Sequence, residues 1–183
     1  MGNYASTVVW GVDDEGDASA AAPMTLGELV IPVKLWSGAA KPEYKSTGAA
    51  GMDLSATGDL ALEPNKPTLV PTNVGLAIPW CCYGQVQGRS SIALKNIDTF
   101  PGVIDPDYRG PIGVVLTNRA DSTQFVAAGD RVAQIIIVPI ARPVLEEVDE
   151  LDATQRGEGG FGSTNAQTSA GAGAGAGAAG ESV

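Results

Sequence analysis

Five short stretches of this chain carry side chains able to do chemistry. Gly102-Val103-Ile104-Asp105-Pro106-Asp107-Tyr108-Arg109-Gly110 gathers two carboxylates, a phenol and a guanidinium. Asp105-Pro106-Asp107-Tyr108 has the chemistry of a tight turn, because Asp can bond its own backbone and Pro fixes φ at the next position. Apolar Val103-Ile104 before it and Ile112 to Leu116 after it predict a β-hairpin with the acids at its tip. Gly102 and Gly110 leave that backbone open to another molecule. Gly88-Arg89-Ser90-Ser91 offers a cation and two hydroxyls. If residues 92–97 are helical, the serines stand at the helix N-terminus, a natural anion site. Ala50-Gly51-Met52-Asp53-Leu54 sets an acid among apolar residues; it needs a partner, for which Arg89, Arg131 and a cation are the candidates. In Gly129-Asp130-Arg131-Val132-Ala133-Gln134, Arg131 and Gln134 face opposite sides if the strand is regular. Arg156-Gly157-Glu158-Gly159-Gly160-Phe161-Gly162-Ser163-Thr164 combines a cation, hydroxyls and accessible amides that suit phosphate with a ring that suits a base.

The rest of the composition narrows the chemistry. The chain has 183 residues, a formal net charge of -10, no histidine and two cysteines, the neighbours Cys81 and Cys82. Without histidine there is no His-dependent triad and no His-ligated metal, which leaves carboxylates, water and hard cations. The negative balance argues against nucleic acid as a partner. Adjacent cysteines build no disulfide framework, so a reducing, intracellular setting is expected. Nothing resembles a secretory leader or a span, and no stable membrane association is expected. Met1-Gly2-Asn3-Tyr4-Ala5-Ser6 does fit the short N-myristoylation pattern, though the acidic residues from Asp13 to Asp17 oppose an anionic surface. Gly157, Gly159 and Gly162 spell G-x-G-x-x-G, but a dinucleotide fold needs a strand before and a helix after it. The flanks here are polar 149–155 and an Ala/Gly run, so that fold is rejected.

The elements positioning these residues read as short strands. Leu29–Trp36, 49–56, Leu60–Leu62, Thr68–Val70, Gly75–Ile78, Tyr83–Gln87, Ile112–Thr117, Gln124–Ala127, Arg131–Val138 and Val144–Val148 are β-like runs separated by Gly, Pro, Asn or Asp. Only 91–97 hints at helix. This pattern predicts an all-β sandwich, jelly roll or barrel and leaves no room for repeated crossover helices. The organisation expected is an acidic, Ala-rich extension over 1–25, a β domain over 26–150, a glycine-rich arm over 151–165 and an Ala/Gly tail over 166–183. Both ends are too poor in large apolar side chains to offset the entropy of ordering, so they are expected to be flexible.

In this order, the five stretches closely resemble the five motifs of the trimeric dUTPase (deoxyuridine triphosphate nucleotidohydrolase) family, over roughly residues 29–164. The resemblance implies a homotrimer of jelly-roll (β-clip) subunits with active sites at subunit contacts. It implies hydrolysis of dUTP to dUMP and pyrophosphate with Mg²⁺, limiting uracil in DNA and supplying dUMP for dTMP synthesis. Carried onto this chain, Gly102, Val103 and Ile104 bind uracil through their backbone, and Tyr108 packs on the sugar. Asp105 deprotonates the water that attacks the α-phosphorus. Arg89, Ser90 and Ser91 hold phosphates, Gln134 reaches the α-phosphate or the water, and Asp53 places the hydrated metal. Arg156, Phe161, Gly162, Ser163 and Thr164 form a closing arm, with Phe161 over the base. Family members often have Pro at the position of Gly88 and Gly at that of Ser91. A dCTP deaminase shares the fold, but needs a glutamate on the strand after the hairpin. Ile112-Gly113-Val114-Val115-Leu116-Thr117 has no acid. A third reading, an interaction module working through its tails, has no partner indicated by the residues.

Overall fold

The computed structural model describes residues 29–159. They divide into two compact units, one ending at Arg142 and one beginning at Pro143. The first is an all-β sandwich of the jelly-roll type. Its strands are β1 (Val33–Leu35), β2 (Met52–Ser55), β3 (Leu60–Leu62), β4 (Pro67–Pro71), β5 (Val74–Leu76), β6 (Cys82–Gln87), β7 (Ile97–Thr99), β8 (Gly102–Ile104), β9 (Gly113–Asn118), β10 (Gln124–Val126) and β11 (Arg131–Pro139). One helical turn, α1 (Ser90–Ala93), interrupts them. The larger sheet has the order β2-β11-β6-β8 and the next β4-β9-β7, with β1-β5 and β10-β3 as two-stranded companions. No described helix is long and apolar enough to cross a membrane.

Alternation along the strands builds the core. In β6, Cys82, Gly84 and Val86 point inward while Tyr83, Gln85 and Gln87 stay half-buried. Leu54, Val86, Val132 and Ile135 of the larger sheet join Val70, Val114, Leu116 and Ile97 of the second in one apolar cluster. Each such side chain contributes roughly 1.5–3 kcal/mol by leaving water. Asn118 is a buried polar exception whose hydrogen bonds are met: its Nδ2 donates to the Leu62 and Ser122 carbonyls, and its Oδ1 accepts from Ala120 N and Gln124 Nε2. It ties β9 to β3 and to the turn before β10.

Four expectations are corrected here. The hairpin around Asp105 does not form: β8 pairs with β6, whereas β9 pairs with β4 and β7. Residues 105–112 turn but then cross between sheets, and the landing is fixed by Thr72 Oγ1 donating to the Ile112 carbonyl and Ile112 N donating to Val74 O. Helix over 91–97 is confined to α1, because Ile97 is drawn into the core as the first residue of β7. Val144–Val148 forms no strand; Val144 and Leu145 are 95% and 90% exposed. Finally, β11 is irregular. Arg131 pairs with Ser55 and Ala133 with Leu54, so Val132 is an extra, bulged residue. A bulge resets the alternation, and Arg131 and Gln134 come to the same face, beside Ser55 and Asp53.

Candidate active site

The face that the bulge creates holds the main charge cluster. Asp53, on β2, accepts from Arg89 Nε through Oδ1 at 2.9 Å and from Arg131 Nη1 through Oδ2 at 3.0 Å. Arg89 Nη1 also donates to the Arg131 carbonyl at 2.9 Å. The Asp53 side chain is only 12% exposed, so the two arginines supply the partners that a shielded carboxylate requires. One acid between two guanidiniums leaves the cluster with a net positive charge, suited to phosphate oxygens. Arg89 is extended backbone just beyond β6, and α1 begins at the next residue. The first amides of a helix have no intrahelical acceptor, so Ser90 and Ser91 present N–H groups as well as hydroxyls close to Arg89.

Gln134 locks the same corner. It lies opposite Asp53 on one side and Gln87 on the other, and its Nε2 donates to the Gly88 carbonyl at 3.0 Å. Its Oε1 occupies the space that a Cβ on Gly51 would need, at 2.7 Å from that position. Gly51 is thus explained by close approach rather than by backbone conformation. Next to Arg89 and Ser90 lies a cavity of about 530 Å³, lined also by Gly88, Thr99, Thr117 and Arg119. Thr99 Oγ1 on this wall is buried with no hydrogen-bond partner among the described residues.

The Asp105 turn is built differently. Tyr108 N donates to Asp105 O at 3.1 Å, and Tyr108 Oη donates to Pro111 O at 3.0 Å. Gly110 lets the phenol fold back, since a Cβ there would lie 2.5 Å from Tyr108 Oη. Gly102, Val103 and Ile104 form an edge strand, with the described ladder on the β6 side alone. Their other backbone edge can pair with a planar ligand. Ile104 lies opposite Gly84 in β6, so Asp105 continues level with Tyr83, roughly 20 Å from Arg89 at ~3.3 Å per residue along the strand. Within one chain, then, Asp53, Arg89, Ser90, Ser91, Arg131 and Gln134 come together, and Asp105 and Tyr108 stand at the other end of β6.

Arg156 belongs to the second unit. Its Nε donates to Gly159 O at 2.7 Å around Gly157, whose φ of +49° favours glycine. Phe161, Gly162, Ser163 and Thr164 lie outside the described residues. Sequence reasoning missed Thr99, an ordinary strand residue by pattern. It also missed the shared face of Arg131 and Gln134, which no local signal marks within an apolar run.

The described residues include no group of three or more acids, cysteines or histidines able to cage a metal. The donor set suits a hard cation carried on substrate oxygens and water, with Asp53, whose oxygens keep spare lone pairs, as an outer contact.

Comparison with known proteins identifies the family. The dUTPase family model matches residues 38–165. The deoxyuridine 5'-triphosphate nucleotidohydrolase of Syntrophotalea carbinolica is 49% identical over 142 residues, covering 74% of this chain and 97% of that protein. A mutant of the dUTPase of Staphylococcus bacteriophage 80alpha, solved with dUpNHpp, superposes with a TM-score of 0.70 at 28% identity, covering 74% of this chain and 98% of that one. A mutant dUTPase of phage phi11 of S. aureus, solved to show the coordination of a structural Mg(II) ion, gives a TM-score of 0.65 at 26% identity, covering 68% of this chain and 100% of that one.

Proposed function

The chain belongs to the dUTPase family, and from that membership we propose that it hydrolyses dUTP to dUMP and pyrophosphate. Asp105 takes a proton from a water molecule as its oxygen bonds to the α-phosphorus. The bond from that phosphorus to the bridging oxygen breaks on the opposite side, and pyrophosphate leaves. Such a reaction needs alignment and charge stabilisation more than covalent help. Arg89, Ser90 and Ser91 supply donors to the phosphates, and Gln134 reaches the α-phosphate or the water. The backbone edge of Gly102–Ile104 reads uracil and Tyr108 covers the sugar. Arg156, Phe161, Gly162, Ser163 and Thr164 close over the ligand, with Phe161 on the base. Asp53 would hold Mg²⁺ through water, and the bound ion would supply neutralisation of charge on the triphosphate oxygens. The product dUMP then serves dTMP synthesis, and removal of dUTP limits uracil in DNA.

One observation carries this reading: the phosphate corner and the Asp105 turn occupy opposite ends of β6 in a single chain. The reaction needs them within hydrogen-bond reach of one substrate. A homotrimer that sets the turn of one subunit against the Arg89 corner of the next meets that need. Exposed Val103 and Tyr108, 66% and 43% accessible in the lone chain, are surfaces for such a contact. The test is pyrophosphate release across dUTP, dTTP, dCTP and UTP with Mg²⁺, followed by subunit mixing. Asp105→Asn and Arg89→Ala chains, each inactive alone, should regain activity when unfolded and refolded together, since some mixed trimers contain an intact composite site. Absence of dUTP turnover in the unaltered protein would refute the reaction; turnover without rescue would refute the shared site.

A further inference from the structure

Cys81 and Cys82 are the chain's only cysteines, and dUTP hydrolysis uses neither. They lead into β6 at the end away from Arg89. Their sulfurs are 3.7 Å apart. The frame beneath them is tied down: Cys82 N donates to Pro79 O, Ile140 N donates to Cys81 O, and Cys82 lies opposite Pro139 of β11. Cys81 is half-buried. Cys82 is 1% exposed, yet it belongs to the wall of a cavity of about 330 Å³ lined also by Ile31, Tyr44, Met52 and Ile137.

A disulfide is a poor fit to this frame. Consecutive Cα atoms across a trans peptide stand ~3.8 Å apart, short of the ~4.4–6.8 Å that disulfides span, and the sulfurs would have to close to ~2.0 Å. What the gap does accept is one larger, soft atom between the two sulfurs, the preference of thiolate ligands generally. We propose that Cys81 and Cys82 form a bidentate site for a single trivalent thiophilic centre, of which trivalent arsenic is the type. With an aryl arsenoxide, two S–H bonds and the As–O double bond break and two As–S bonds form. Both protons leave with the oxygen as one water. Arsenic remains trivalent throughout, so no oxidant or reductant takes part. Cys81, the more accessible sulfur, bonds first. Burial and the hydrogen bond with Cys81 push the Cys82 thiol up to about 11, so it stays protonated and slow towards monofunctional alkylators. Its reaction becomes favourable once arsenic is held beside it on Cys81, an intramolecular second step.

The experiment uses the full chain in its native state with phenylarsine oxide and reads intact mass. One aryl-arsenic group per chain is expected, retained in excess monothiol and released by 2,3-dimercaptopropanol. Cys81→Ser, a change at a half-buried site, should lower retention about 100-fold or more through loss of the second attachment. Cys82→Ser should do the same if it folds; if it does not, Cys81→Ser alone decides. No adduct on the native protein, an adduct stripped by monothiol, or equal retention by Cys81→Ser would each overturn the proposal.

Discussion

The two ends of β6 solve opposite problems. At the Arg89 end, side chains hold one another: Asp53 pairs with Arg89 and Arg131, and Gln134 donates to the carbonyl of Gly88. At the other end, bonds converge on the main-chain carbonyls of the Asp105 turn: Tyr108 N donates to Asp105 O, Arg109 Nη1 to the Pro106 and Tyr108 carbonyls, Tyr108 Oη to Pro111 O, and Thr72 Oγ1 to Ile112 O at the landing. The cost of ordering the charged corner is met on folding, so in our reading a triphosphate finds it already arranged. Electrostatic help is largest from such fixed groups. The turn instead presents an open strand edge and an acid on a crossover. It becomes a site only against something else, and in our reading that is a second subunit with its nucleotide.

Asp105→Asn tests the contrast most sharply. It should lower kcat by about 10²–10⁴-fold, the range for losing a general base. Binding of a non-hydrolysable dUTP analogue should change little, because the proposed phosphate contacts lie elsewhere. Equilibrium binding alongside turnover checks both halves, and near-normal turnover would remove Asp105 from its role.

Asp53→Asn attacks the prearranged end. The amide keeps the shape but leaves two guanidiniums without their carboxylate. Arg131 is 47% exposed and readily solvated, whereas Arg89 is 20% exposed, so most of the effect falls on Arg89. A rise in KM of roughly 10-fold is expected, with a fall in Tm of a few degrees, about what 1–3 kcal/mol implies. Lost kcat with unchanged KM would mean that Asp53 acts on the reacting atoms rather than on the arginines.

Gly51→Ala is a finer probe of the same corner. The new methyl would sit where Gln134 Oε1 lies, 2.7 Å away, so the amide must move off the Gly88 carbonyl. About a 3- to 10-fold loss in kcat/KM is expected, equivalent to one hydrogen bond of ~1 kcal/mol or slightly more. A crystal structure of the variant with Gln134 unmoved would break the explanation for Gly51.

How much of this was legible in the sequence depends on how local each signal is. The residues of the charged corner could be picked out because Asp53 amid apolar neighbours and Arg89-Ser90-Ser91 at a strand end are unusual within a few positions. Their convergence could be only partly foreseen. Val132 and Ala133 are both buried, so the bulge hides inside an apolar run that looks like regular strand. The Asp105 turn was legible as a turn, but its strand partners were not. Val103-Ile104 and Ile112–Leu116 suit one hairpin equally well, and only the rest of the chain, through β6 and β4, assigns them to different sheets. Ile97 likewise fits a short helix by spacing until the core claims it. Val144–Val148 has strand composition but no ladder among the described residues, because composition cannot supply a partner.

Tyr108→Phe is the mildest change and tests how widely the bonds that hold the turn are shared. The hydroxyl donates to Pro111 O, pinning the crossover after Asp105, while the ring lies where a side chain on Gly110 would otherwise be. Phe keeps the ring and the sugar contact proposed for it, and removes only that bond. A partly exposed hydrogen bond contributes about 0.5–1.5 kcal/mol, and water can replace part of it at a side chain 43% accessible in the lone chain. The expected result is a 2- to 5-fold fall in kcat/KM for dUTP with Tm almost unchanged. If the turn were held by that hydroxyl alone, the loss would approach that of Asp105→Asn, since the acid would no longer be aimed. Comparing the two variants in one assay therefore separates a turn held by several bonds to its carbonyls from one held by a single phenol.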